Sequence, residues 1–442
     1  MLQRLIDRAL AETPPGRCVW VALSGGLDSS LLLTLAAAAA HRHPRPLRAL
    51  HVHHGLQGAA AGFERHCRRL CSRLGVPLSV ERIRVDVASG QGIEGAAREA
   101  RYASFAGRVA PGETLWLAQH RDDQAETFLL AALRGSGVRG LAGMTTGRDW
   151  GGRWLERPLL DVARSALETE AGRRGLAWVE DPSNDDEDLD RNFLRHTVMP
   201  SLTSRWPHAG AALARSAALA GEADALLEDL ARLDLERLGD ASGRLSVAGL
   251  EALSVSRRRL LIRHACRHRG LPTPPARRLE TLLAQLNAGE AAEVRVAWPG
   301  AEARVWRGRL HLLAPPEPLP AGWQAEWDGH SPLVTPLGEV QVSLGRADDA
   351  SVRLWVGGRQ GGERLRLPGR GRRDLKRLLQ ELGVPPWRRE RLLVVREEAA
   401  PVAVLDPAEG AWLVLGEGWI SRDAAPAEDR RPAGSPPPAP GR

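Results

Sequence analysis

Lysine is almost missing: Lys376 is the only one in 442 residues, so nearly all of the positive charge is arginine. A Walker A loop needs Gly-Lys-Ser/Thr, and Lys376 follows Leu375, so that route to nucleotide phosphates is excluded. Cysteine is scarce as well. Cys18, Cys67, Cys71 and Cys266 are too few and too scattered for a disulfide framework in a chain this long. Cys67 and Cys71 stand one helical turn apart and supply at most half of a zinc or iron-sulfur site; the plainer expectation is two small apolar residues on one helix face. Long apolar runs are missing too. The longest, residues 31–40, is half alanine and about ten residues long, against roughly 20 for a membrane-spanning helix. Residues 1–11 carry Arg4, Asp7 and Arg8 among apolar positions and read as an amphipathic helix, not a signal peptide. A cytoplasmic protein without membrane contact is expected.

With 43% hydrophobic and 26% charged residues, the composition is that of a soluble globular chain. At roughly 100–200 residues per domain, this length predicts two to four domains. Apolar runs at residues 18–23, 47–53, 78–85 and 114–118 alternate with helical patterns, which predicts an α/β domain with a parallel sheet over residues 1–210. A mainly helical middle domain is expected over 211–314, with Leu226, Leu230 and Leu233 on one helix face and paired strands around Pro299-Gly300. Pro315, Pro316, Pro318 and Pro320 open a linker region, 315–345, and a small basic α+β domain follows over 346–423. The Pro-, Ala- and Gly-rich tail, 424–442, reads as disordered. Between residues 351 and 400 there are 13 basic and six acidic side chains, a surplus equal to the net charge of the whole chain, +7. Such confinement points to a surface for a polyanion, with Trp387 beside Arg388 and Arg389 as a stacking or anchoring group; a solvated charged face is the plainer alternative.

The sharpest feature is Val19-Trp20-Val21-Ala22-Leu23-Ser24-Gly25-Gly26-Leu27-Asp28-Ser29-Ser30, an apolar strand running through a Ser-Gly-Gly turn into a helix. Paired glycines let the backbone bend tightly and approach a ligand, and the unpaired amides of the helix start point toward an anion. A carboxylate in the middle of that cradle would repel phosphates unless a divalent cation came with them, so Asp28 implies a metal nucleotide.

This string resembles the PP-loop of the N-type ATP pyrophosphatases, and later segments narrow the resemblance to the tRNA(Ile)-lysidine synthetases. They are His51-Val52-His53-His54-Gly55-Leu56-Gln57, Gly92-Ile93-Glu94 through Arg98 to Arg101-Tyr102, and His120-Arg121-Asp122-Asp123-Gln124-Ala125-Glu126-Thr127. Leu133-Arg134-Gly135-Ser136-Gly137, Arg157-Pro158-Leu159-Leu160 and Glu180-Asp181-Pro182-Ser183-Asn184 with Arg191-Asn192 and Arg195-His196 complete the set. Leu375-Lys376 and Val384-Pro385-Pro386-Trp387-Arg388 look like the family's C-terminal domain.

The resemblance implies a ligase that cleaves ATP between its α and β phosphates and adenylates the wobble cytidine of a CAU-anticodon tRNA for isoleucine. Free lysine then displaces AMP to leave lysidine, which changes codon reading from AUG to AUA. It implies ATP held by Ser24, Gly25, Gly26, Leu27, Asp28 and Ser29, and magnesium on Asp28 and Asp123. Asp123 and Glu126, three residues apart at a helix start, can share one face, one holding metal while the other handles the lysine amine; an acidic turn complementing the helix dipole is the alternative. Arg98, Arg191 and Arg195 suit a bidentate grip on phosphate or carboxylate. His53 and His120 are candidates for nucleotide contact, although a histidine at a strand end is more often structural. Arg373, Lys376, Trp387 and Arg388 are candidates for tRNA contact in the C-terminal domain. Lysine and tRNA are the expected partners, and a homodimer is compatible with the sequence. Three other readings stay open: a PP-loop tRNA thiolation enzyme using Cys67 and Cys71, an amide-forming synthetase acting on a metabolite, and a nucleic-acid-binding protein that has lost its chemistry.

Overall fold

The computed structural model describes residues 1–53, 60–83, 92–286 and 294–422. The stretch His54 to Gln57 of one motif and the tail from residue 424 lie outside them. The chain forms two compact units, Met1–Leu230 and Ala231–Arg442.

The first unit is built on six strands: β1 (Val19–Ala22), β2 (Leu47–His53), β3 (Leu78–Arg82), β4 (Thr114–Trp116), β5 (Gly147–Asp149) and β6 (Trp154–Glu156). They lie in the order β3-β2-β1-β4-β6-β5, parallel throughout except for β5, which runs antiparallel to β6 at the edge. Strand residues alternate between faces with period two. Val19 and Val21 face α1 (Leu2–Glu12), α2 (Leu27–Ala40) and α3 (Ala60–Leu74), in a core with Ile6, Leu31 and Leu35. Trp20 and Leu115 face α4 (Gly92–Arg108), in a core with Phe105 and Val109. Both sides of the central strands are therefore covered, as a parallel sheet requires. The apolar run 31–40 is the body of α2, whose residues from Leu31 to Leu33, Leu35 to Ala37 and Ala39 are buried in this core. Among the described residues no helix is long and apolar enough to cross a membrane.

Strand order reverses between β1 and β4. The chain leaves β1 into α2 and leaves β4 into α5 (Arg121–Leu133), so the loops after these two strands border the crevice at the carboxyl ends of the sheet.

Residue 210 is not the boundary of the first unit. Ala209–Leu238 is one continuous helix of 30 residues, and its first part packs on the first unit: Ala217 is buried, and Glu228 Oε1 accepts from Arg139 Nη1 at 2.6 Å. Leu226 and Leu233 on this helix are exposed, so the leucine face expected there does not pack into a core.

In the second unit, the strands Leu245–Ser246, Arg309–Leu313, Ala301–Trp306 and Val294–Trp298 form an antiparallel sheet, with the expected hairpin at Pro299-Gly300. The helices Val255–His268 and Ala276–Gln285 share its core through Leu261, Ile262, Leu279 and Leu282. The remaining chain builds a five-stranded antiparallel sheet from Gln324–Trp327, Leu354–Gly358, Leu393–Glu397, Ala400–Asp406 and Ala411–Leu415, with the helix Leu375–Glu381 sharing a core with Val394 and Val404. The linker expected at 315–345 is too long by most of its length. Trp327, Leu333, Val340, Val342 and Leu344 are buried in the same core as Leu354 and Leu393, so only the proline-rich start connects anything.

Trp387 is also placed differently from the expectation. It is 8% exposed, its ring meets His311 edge-on at 5.0 Å, and the Arg304 guanidinium lies over it at 5.0 Å. Arg304 is itself held by the fully buried Glu302, at 2.7 Å, which also takes Arg295 at 2.9 Å. The indole thus ties the C-terminal sheet to the middle one and is no stacking platform. Trp387→Ala is expected to destabilise the second unit by about 3–5 kcal/mol, read by urea denaturation. A stable variant that merely binds RNA more weakly would mean that the ring faces outward after all.

Candidate active site

The loop after β1 owes its shape to two glycines and a serine. Gly25 has φ +98°, and a Cβ there would sit 3.3 Å from Cys67 Sγ and 3.4 Å from the Phe63 ring, so the turn is closed to larger residues on both counts. Ser29 Oγ accepts from the amides of Ser24 (3.2 Å) and Gly25 (3.3 Å) and lies 2.9 Å from Ser24 Oγ. Gly26 caps α2 with no side-chain partner for the helix amides, which leaves the first turn open to an anion. Below the loop, His51 Nδ1 lies 2.8 Å from the Leu23 carbonyl and 3.6 Å from Cys67 Sγ.

Burial pushes the Cys67 thiol up to about 12 and the Cys71 thiol up to about 11. Both are buried apolar packing groups, and the iron-sulfur reading of the pair loses its only support.

The loop after β4 brings the second half of the site. His120 caps α5: its Nδ1 accepts from the Asp123 amide at 3.4 Å, while Asp123 Oδ2 accepts from the His120 amide at 3.0 Å. With Nδ1 used as an acceptor, the ring hydrogen sits on Nε2. That nitrogen lies 3.8 Å from Asp28 Oδ2 and 3.4 Å from Asp123 Oδ2, so two carboxylates 95 positions apart in sequence flank one buried imidazole. His120 therefore orients the aspartates.

Asp28 Oδ1 is buried without a hydrogen-bond partner. Burial raises the Asp28 carboxyl above the ordinary range and Asp123 adds to this, against the pull of His120, Arg164 and Arg195. An orphaned carboxylate oxygen beside a second carboxylate fits a hard cation. Among the described residues no group of three or more His, Cys, Asp or Glu could hold a metal, but magnesium needs only one or two carboxylates and fills its remaining positions with phosphate oxygens and water.

Asp123 and Glu126 do share a face of α5, and what occupies it is a pair of arginines. Arg191 donates to Glu126 Oε2 at 2.8 Å and Asp123 Oδ1 at 3.1 Å; Arg195 donates to Glu126 Oε1 at 2.8 Å and Asp123 Oδ1 at 3.2 Å. Glu126 is buried and each of its oxygens accepts from a guanidinium. Arg191 and Arg195 stand four residues apart where the helix Asp190–Phe193 runs into a π-turn, Leu194–Val198, the kind of local irregularity found at functional sites.

A cavity of about 910 Å³ lies over these groups. Its walls include Ser24, Gly26 to Ser29, His53, Arg195 and the Glu180–Asp181 stretch, whereas Gly25, His120, Asp123, Glu126 and Arg191 are not among the lining residues. Arg101, Tyr102, Arg164 and Trp178 also line it. Arg101 and Tyr102 stood inside a quoted motif; nothing in the sequence distinguished Arg164 from any other arginine. Arg98 is not in the wall: it is exposed and lies over the Tyr102 ring at 5.1 Å, one turn before Arg101. In the second unit, Arg373 and Lys376 are exposed, while Arg388 is engaged by Asp406 and, at 2.7 Å, by Glu409.

The Asp28 geometry has a measurable consequence for stability. A carboxyl whose pKa is raised on folding costs stability as pH climbs through its unfolded value toward its folded one, and the cost is complete above both. Asp28→Asn is therefore expected to stabilise the ligand-free protein by about 1 kcal/mol near neutral pH, with the gain vanishing in acid. Thermal melts of both proteins in magnesium-free buffer across this range check it; a variant that melts lower at neutral pH contradicts it.

Comparison with known proteins agrees with this architecture. The model of a PP-loop domain matches residues 1–202, that of the TilS substrate binding domain residues 245–311, and that of the TilS substrate C-terminal domain residues 354–407. The chain is similar to the tRNA(Ile)-lysidine synthase of Xanthomonas axonopodis pv. citri (strain 306), with 45% identity over 96% of each chain. It is also similar to the enzyme of that name from Pseudomonas aeruginosa, with 43% identity over 89% of this chain and 91% of that one. Among solved structures, the U34-tRNA thiolase NcsA from Methanococcus maripaludis gives a TM-score of 0.41 at 15% identity, over 49% of this chain and 76% of that one. At 45% identity across nearly its whole length, and with all three domain models in order, the chain belongs to the tRNA(Ile)-lysidine synthase family.

Proposed function

We propose that this protein joins free lysine to C2 of the wobble cytidine of a CAU-anticodon tRNA for isoleucine, using ATP and releasing AMP and pyrophosphate. In the first step the C2 oxygen of cytidine attacks the α-phosphorus, the bond from that phosphorus to the bridging oxygen breaks, and pyrophosphate leaves. In the second, the neutral ε-amine of lysine attacks C2, the C2–O bond breaks and AMP leaves with its electron pair. A ring carbonyl oxygen is a poor leaving group, so adenylation must come first.

The observation that carries this reading is the meeting of the β1 loop and the β4 loop at one crevice, with Asp28 in its wall and the His120 imidazole between Asp28 and Asp123. The open amides at the start of α2 would receive phosphate oxygens. Asp28 and Asp123 would hold magnesium, which when bound offsets the charge of the triphosphate. Arg195, which reaches the cavity while held by Glu126 and Asp123, offers a guanidinium to the α-phosphate or to the lysine carboxylate, and Glu126 acts as a positioning residue. The exposed Arg364, Arg366, Arg372, Arg373, Lys376 and Arg377 would supply affinity for the tRNA backbone.

With ATP and magnesium, labelled lysine is expected to enter a CAU-anticodon tRNA and to stay out of a tRNA lacking the wobble cytidine. Asp28→Asn is expected to lower the rate by at least about a hundredfold. Release of AMP and pyrophosphate without label in the RNA would mean that the nucleotide chemistry is right and the acceptor wrong.

A further inference from the structure

A second cavity, of about 290 Å³, lies inside the second unit between the strand Arg309–Leu313 and the segment carrying Trp387, Arg388 and Arg391. Four guanidiniums line it, those of Arg244, Arg269, Arg388 and Arg391. Their partners separate them into two classes. Arg244 is paired with Asp240 at 2.8 Å, and Arg388 with Asp406 and Glu409. Among the described residues Arg269 donates only to the carbonyls of Ser242 and Gly243, at 3.1 and 3.0 Å, and these leave its charge unanswered. Arg391 has a buried Nε with no acceptor. Glu409 is the one carboxylate in the wall, and Arg388 already holds it at 2.7 Å.

His311 adds a second orphan, for its Nε2 is buried and unbonded. Burial first, then Arg244, Arg269 and Arg388, hold this imidazole down to about 4, with only Asp240 opposing them. It is neutral at physiological pH and keeps one N–H. The pocket thus collects two guanidiniums without carboxylates and two buried nitrogens without partners. What answers all of these is a small anion with several acceptor oxygens and no donors. A nucleobase does not fit the description, because one face of the Trp387 ring is covered by Arg304 and His311 packs against it edge-on.

We propose that this pocket receives a phosphate group, specifically a backbone phosphodiester of bound RNA, gripped by Arg269 and Arg391. The proposal rests on the tRNA reading above and adds to it a defined site distinct from the exposed basic residues between 364 and 377. A contact of this kind sets register and affinity without reading sequence.

Arg269→Gln and Arg391→Gln test it, with binding of a CAU-anticodon tRNA transcript to the full-length protein measured across a salt series. Each variant is expected to bind several-fold more weakly at low salt and to flatten the slope of log affinity against log salt by about one. Lysine incorporation at saturating tRNA should persist. Arg269 is exposed, so its variant carries the test alone if Arg391→Gln melts early. An unchanged slope in a folded variant overturns the proposal. A parallel arm adds inorganic phosphate: if phosphate raises the melting temperature of the parent protein but not of the variants, while the tRNA slope stays put, the pocket takes free phosphate and the RNA assignment falls. Failure of the parent protein to bind tRNA at all would overturn the tRNA reading, and this one with it.

Discussion

Asp28 stands at the carboxyl end of β1 with one oxygen buried and unanswered, and the geometry around it makes sense only as preparation for charge that arrives from outside. The start of α2 offers open amides, which attract an anion; the carboxylate one residue into that helix repels it. Both are satisfied at once by phosphate that brings a cation. Against the loop, the Cys67 thiol and the Phe63 ring crowd the place of a side chain at Gly25, whose φ of +98° already favours glycine. The core of α1, α2 and the central strands supplies the stability that lets one unfavourable carboxylate persist.

Arginine performs three separate jobs in a chain with a single lysine. Arg191 and Arg195 clamp Asp123 and Glu126, where a planar fork reaches two carboxylates at once from a fixed geometry. Arg304 lies flat on Trp387 while bonded to Glu302, joining the two sheets of the second unit. The exposed arginines of residues 364–377 keep their charge toward solvent. These three uses look alike in the sequence. What separates them is the carboxylate or ring that folding sets beside each guanidinium.

Much of the catalytic unit was legible in advance. The four apolar runs became β1 to β4, and the Ser-Gly-Gly turn became the loop into α2, because buried parallel strands and tight turns leave strong local signatures. The antiparallel edge strand β5 is short and partly exposed, and left no such signature. Arg164 entered the cavity wall unannounced, and Arg98 left it to Arg101: the two lie one turn apart on the same side of α4, and Arg98 is spent on the Tyr102 ring. In the second unit, the prolines 315, 316, 318 and 320 led the sequence reading to a linker over 315–345. The strands after these prolines have only three or four residues each and join a core whose other half lies beyond residue 354, so their membership could not be read locally.

By itself the sequence determined the elements and the loop chemistry: which runs are strands, where the backbone must turn, and that Asp28, Asp123 and Glu126 belong to the matched motifs. Tertiary structure alone decided partnership. It placed Asp28 and Asp123 on either side of His120, gave Glu126 to two arginines and turned Trp387 inward against His311 and Arg304. Strand and turn preferences act between near neighbours in the chain, whereas these contacts depend on sheet order and packing between segments tens of residues apart, which no short string of residues encodes.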